Sequence, residues 1–167
     1  NSNYRVFTFD NPFNETVTSY FHKSIGGYHG AKVKRYQQLV DFYLQDEMQK
    51  ANGVISSIKM AKLQNYARSM EIPQDKAKEI FDTISVAVGQ MSDTCQILNM
   101  LNTKYIVLNP SQKAIKNTNA NGPAWFVQSV KWVANANEEL SSLKTCPTKT
   151  QAIVHQEFKV LASGTKV

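Results

Sequence analysis

Long apolar runs are missing from this chain. Its most continuous stretches are as short as Tyr105 to Leu108, against the about 20 residues that a helix needs to cross a bilayer. No transmembrane helix is therefore expected within it. The start, Asn1-Ser2-Asn3-Tyr4-Arg5-Val6, has no apolar core of the signal-peptide kind, and a strand-like pattern begins already at Tyr4. Both ends read as cut points in a longer polypeptide. Cysteine is scarce. Cys95 and Cys146 stand about 50 residues apart with no second Cys or His at ligand spacing, so two reduced, partly buried thiols are expected and metal binding by them is not. Phosphate-binding, dinucleotide-binding, nucleophile-elbow, zinc-protease and EF-hand strings are all absent, and no cofactor is expected. Repeats and low-complexity tracts are absent too.

What is present is one globular domain's worth of sequence. The 167 residues are 42% apolar, enough to bury a substantial core and too much for a disordered chain. Nineteen Lys and Arg against 13 Asp and Glu leave a net charge of +6. The bases are scattered except for a loose cluster at Lys23, Lys32, Lys34 and Arg35, and no nucleic-acid motif accompanies them, so nucleic acid is not an expected partner.

The periodicities predict a mixed α/β fold (α+β): a small, mostly central sheet of three to five strands with three to four helices packed on it. Tyr4 to Phe9 reads as a first strand, closed by the turn residues Asp10-Asn11-Pro12. Residues 13–30 read as a long loop. A helix is predicted from Ala31 to Ala51, with Tyr36, Leu39, Val40, Tyr43 and Leu44 as its apolar stripe and Asp41, Asp46 and Glu47 on a solvated face. Gly53 is expected to break it. A second helix follows from Val54 to Met70, then a third from Pro73 to Gly89 that buries Ile80, Ile84 and Val88. Ser92 is placed as the cap of a short helix through Leu101. Lys104 to Leu108 is the clearest strand, expected to be central and parallel to the first. Residues 111–122 read as an exposed loop and Trp125 to Val133 as a strand, with Trp125, Phe126 and Trp132 in the core. A helix from Asn137 to Leu143 and a strand from Gln151 to Phe158 complete the order.

One segment gathers chemistry. His22, Lys23, Gly26, Gly27, Tyr28, His29, Lys32, Arg35 and Tyr36 put imidazoles, cations and aromatics around glycines just ahead of a helix. Glycines let backbone N–H groups approach an anion such as phosphate. They also serve tight turns with no ligand. Both readings stand at this level. The two histidines lack a carboxylate at ligand spacing, and His155 is remote, so no catalytic residue is assigned.

Three strings carry a resemblance: Thr18 through Lys32 with Arg35-Tyr36-Gln37, Ile97 through Val107, and Gly122-Pro123-Ala124-Trp125-Phe126-Val127. In these residues and their order the chain resembles the extracytoplasmic region of YfhO-like bacterial integral membrane proteins, over about residues 4–158, with 50–92 carrying no such string. Those proteins are similar to the GT-C class of glycosyltransferases, which use polyprenyl-phosphate-linked sugars and act on acceptors at the outer membrane face. The resemblance implies one soluble extracytoplasmic domain of a polytopic protein, tethered by flanking transmembrane helices, in cell-envelope glycosylation. It implies contact with the transmembrane part of the same polypeptide and with a glycan or lipid-linked acceptor. It transfers no catalytic residue. The other reading, taken from the net charge of +6 and the bases around Gly26 to Arg35, is a free-standing module for an anionic ligand, a phosphosugar or, as the weaker version, nucleic acid.

Overall fold

A computed structural model describes residues 3–9, 12–28, 31–64 and 72–159. The fold is mixed α+β, as the periodicities predict, but its strands form two sheets instead of one. The first holds β1 (Arg5–Thr8), β2 (Thr103–Val107) and β3 (Ile115–Lys116) in that order. β1 and β2 are parallel, with Phe7 opposite Ile106, and β3 runs antiparallel to β2. β2 is therefore central, as its unbroken apolar character predicts. The second sheet pairs β4 (Ser129–Val133) with β5 (Gln151–His155) in parallel. A helix, α6 (Ala136–Ser142), makes the crossover that a parallel pair requires.

The stretch 13–30 is not wholly irregular, since α1 (Val17–Phe21) lies within it. The long helix starts three residues later than predicted and Gly53 does not stop it. It runs through α2 (Lys34–Leu39), a π turn over Val40–Leu44, and α3 (Gln45–Leu63). A Cβ at Gly53 would meet nothing within 4 Å, so the glycine costs the helix about 1 kcal/mol in propensity and nothing in packing. The predicted end at Met70 lies outside the described residues, as do Asp10, Asn11, His29 and Gly30. α4 (Gln74–Met91) begins one residue after the predicted Pro73, which precedes it in a non-helical conformation, and passes Gly89 by two residues. Ser92 opens a short 3-10 turn, donating to the Gly89 carbonyl (2.6 Å), instead of capping α5 (Gln96–Met100). α6 is capped by Asn135, whose Oδ1 accepts from the N–H groups of Asn137 and Glu138 at 3.0 Å, so the cap sits two residues ahead of Asn137, the predicted start of the helix.

Two apolar clusters hold these elements. One joins Phe7 and Ile25 to Leu39, Val40 and Leu44 of the long helix and to Ile97 and Leu98 of α5. The other joins Ile55 of α3 to Ile80, Ile84 and Val88 of α4 and to Ile106 and Ile115 of the sheet, and Phe9 packs against both. Both thiols are free and buried, as predicted. The aromatic expectation is not met: Trp125 and Trp132 are half-buried and belong to neither cluster, and Phe126 is 99% exposed, because residues 122–128 are not a strand and β4 starts only at Ser129. Trp125 stays half-buried, its Nε1–H donating to the Thr148 carbonyl at 2.9 Å. Residues 111–122 are not simply an exposed loop either, since they contain β3 and the buried Asn117. Among the described residues, no helix is long and apolar enough to cross a membrane.

Candidate functional site

The glycine segment folds onto itself. The Lys23 carbonyl accepts from the Val6 N–H (2.8 Å) and the Ile25 N–H donates to Val6 (3.1 Å), so residues 23–25 run beside β1 like a further rung. Gly26 then passes against Pro12 so closely that a Cβ there would lie 1.8 Å from the Pro12 carbonyl oxygen. Gly27 has φ +117°, which disfavours any side chain, and its N–H donates to the same oxygen at 2.6 Å. The Gly26 N–H is taken by Ser24 Oγ (3.0 Å) and the Tyr28 N–H by the Glu15 carbonyl (3.0 Å). The donors that would cradle an anion are thus engaged within the turn itself.

The side chains of the same segment diverge. Lys32 Nζ donates to the Phe13 carbonyl (3.3 Å) and lies over the Phe13 ring. Arg35 reaches the Ala136 carbonyl at the start of α6 (2.8 Å). The Tyr36 hydroxyl donates to the Ile25 carbonyl, and burial pushes its pKa up to about 12, against a smaller downward pull from Arg5. His22, Lys23 and Tyr28 are exposed. Of the predicted site residues, Gly26, Gly27 and Tyr36 come together to build the turn, while Lys32 and Arg35 are held apart.

A second region is polar and buried. α5 starts with no cap of its own, and the carboxylate of Glu47, from α3, supplies one: Oε1 accepts from the Ile97 N–H (2.9 Å) and Oε2 from the Leu98 N–H (3.1 Å). Glu47 is thus buried and not on a solvated face, which corrects its sequence assignment. Its position was readable, because Val40, Leu44, Glu47, Ala51 and Ile55 recur at helical spacing on the buried side. Burial pushes its carboxyl pKa up, opposed by the two N–H groups and Lys50. Burial also lifts the Cys95 thiol to about 12, with the Glu47 charge adding to the rise, so this cysteine is not an activated nucleophile. Beyond α5, Asn102 takes φ +56° as the residue that closes the helix, and its side chain donates to the Asn3 carbonyl. Asn117 Nδ2 donates to Asn99 Oδ1 and to the Thr103 carbonyl, each at 2.8 Å.

Open space lies elsewhere, in several clefts, one of them between α3, α4 and residues 108–112. The long helix, α5 and α6 enclose a cleft of about 560 Å³, a size usual for small-ligand sites. Its apolar wall is Phe42, Ile97, Leu140 and Leu143, and its polar groups include Gln38, Asp46, Lys50, Asn137 and Ser141. The π turn shapes it. The Gln45 N–H bonds to Val40, five residues back, and the widened turn carries Phe42 outward while the Tyr43 hydroxyl donates to the Leu140 carbonyl at 2.6 Å. Gln38 Oε1 is buried with no hydrogen-bond partner. Sequence reasoning missed this site because its residues come from three separated segments. Among the described residues, no group of three or more His, Cys, Asp or Glu is placed to hold a metal ion. Compared with protein-family models, curated proteins and solved structures, the chain matches none.

Proposed function

We propose that the chain is a non-catalytic extracytoplasmic domain of a YfhO-like, GT-C-type membrane protein, and that it helps position a glycan or lipid-linked acceptor in the cleft beside the π turn. The resemblance supplies the class of protein, its location at the outer membrane face and its tether to a transmembrane part. The observation that carries the site is the lining of the cleft. Phe42 offers an exposed ring face to the C–H surface of a pyranose, and Gln38, Asp46, Asn137 and Ser141 offer the donors and acceptors that hydroxyl groups require. The rival reading, an anionic ligand bound by the glycine segment, is weaker because Lys32 and Arg35 are engaged with separate carbonyls.

The test is NMR titration of the 167-residue chain with neutral oligosaccharides, phosphosugars and a short polyprenyl phosphate, at low and high salt. Saccharide-induced shifts mapping to Phe42, Asp46 and Ser141, at about millimolar affinity and lost in Phe42→Ala, are expected. Shifts confined to Lys23 through Tyr36 that vanish with salt would install the anionic reading instead. The parent is tested separately: its reading frame must encode hydrophobic helices on both flanks, and a frame without them sinks the membrane-protein part of the proposal.

A further inference from the structure

α1 is inverted. Val17, Tyr20 and Phe21 fall at i, i+3 and i+4 and so share one face, yet they are 64%, 83% and 71% exposed. None of the helix's residues is buried. A five-residue helix with no buried face has little stability of its own. Here polar links hold it in place. Glu15 Oε2 accepts from the Thr18 N–H (3.0 Å) and Ser19 Oγ donates to the Thr16 carbonyl (2.9 Å). Gly27 packs beside Ser19, and the Tyr28 N–H bonds to Glu15, so the exposed Tyr28 leaves the turn next to the same helix. The result is an apolar and aromatic face turned to solvent and tied to the glycine turn through Glu15.

The free charge next to it in sequence is cationic. Lys23, two residues past α1, is exposed, while Lys32 and Arg35 are held by the Phe13 and Ala136 carbonyls, and the one carboxylate of residues 13–36, Glu15, is spent on capping α1. Exposed Tyr and Phe beside the exposed Lys23, with no free acid among the described residues of 13–36, match the headgroup layer of an anionic bilayer, where aromatic rings settle at the interface and lysines meet phosphates. We infer that α1 and the adjoining glycine turn form a membrane-contact surface, with the face of an anionic lipid bilayer as its occupant. The glycines fix the presentation and take no part in binding. This inference uses neither the cleft nor a sugar ligand and stands or falls apart from them.

The test is co-sedimentation of the full chain with vesicles of phosphatidylglycerol and phosphatidylcholine in equal parts, and with phosphatidylcholine alone. A Tyr20→Ser/Phe21→Ser variant is run in parallel, its fold checked by circular dichroism and melting. The surface predicts binding to the anionic vesicles at about millimolar lipid, weakened at least about tenfold in the variant and by raised salt. No sedimentation of the wild type overturns it. So does binding that the variant retains, which would mean diffuse attraction by the +6 charge. Self-association of the wild type, lost in the variant and without vesicle binding, overturns it in favour of a second copy of the chain.

Discussion

Two segments of this chain are conspicuous to the eye, the glycine turn at 22–28 and the α5–β2 junction at 97–105, and the fold treats them in opposite ways. The turn lies at the surface and is held by backbone bonds: Gly26 against Pro12, residues 23–25 along β1. The junction is buried and held by side chains: Glu47 across the start of α5, Asn99 and Asn117 across its end. In both, the memorable residues answer a structural demand, a missing Cβ in one place and an orphaned N–H or C=O in the other. The large apolar side chains that face solvent are less conspicuous, among them Phe42 on the π turn and Tyr20 and Phe21 on α1. The glycines and buried polar residues of these strings therefore mark positions where the backbone has no alternative, and the surfaces proposed for binding use other side chains.

The sharpest way to break that comparison is Gly26→Ala. Its Cβ would meet a backbone oxygen at 1.8 Å, and neither partner can rotate away. A loss of about 3–5 kcal/mol is expected, at the upper end for a single substitution, read by urea unfolding. A loss under about 1 kcal/mol would mean the turn yields easily, and the ligand-cradle reading of these glycines would regain ground.

Glu47 is next. Glu47→Ala strips the acceptors from two buried N–H groups and should cost about 3 kcal/mol, with Glu47→Gln costing less because one oxygen remains. The pH dependence has a definite sign. Burial raises the folded-state pKa above the ordinary 4.5, so the folded chain holds this proton more tightly than the unfolded one. Stability then falls as pH rises from about 4.5 through the raised value, and levels off above it. The advantage of wild type over Glu47→Gln should shrink across that window in denaturation series. An advantage that grows with pH would show that the Ile97 and Leu98 N–H groups outweigh burial.

The legible parts of this fold are those with an unambiguous period. The stripe from Tyr36 to Leu44, the Ile80–Ile84–Val88 face and the parallel pairing of β1 with β2 all follow from spacing and order. α1 escaped because its apolar face points outward, and a five-residue helix has too few positions to establish a period. The π turn leaves no trace in the pattern, since its buried residues Val40 and Leu44 stand four apart, as they would in an α-helix. The division into two sheets is a matter of pairing, which propensity does not report. Of the candidate site, the cationic–aromatic segment was visible and its divergence was not. Lys32 and Arg35 lie three positions apart on the chain, yet bond to carbonyls of different elements.

The smallest expected effect sharpens the buried half of the comparison. Asn117 is 3% exposed and links three backbone or side-chain groups: it donates to Asn99 Oδ1 and Thr103 O, and its own Oδ1 accepts from the Asn119 N–H at 2.9 Å. Asn117→Ala leaves those groups short of partners and should cost about 2 kcal/mol. Asn119, only half-buried, donates to Ser92 Oγ and Asp93 Oδ1, and water can replace it there, so Asn119→Ala should cost under about 1 kcal/mol. The more telling measurement is a double-mutant cycle on Asn99 and Asn117. If the two amides act as one network closing β2 onto α5, removing the second after the first costs less than removing it alone, by about 0.5–2 kcal/mol. Strict additivity would mean that each amide serves its own local turn. The junction would then resemble the glycine turn after all, as a row of separate backbone solutions.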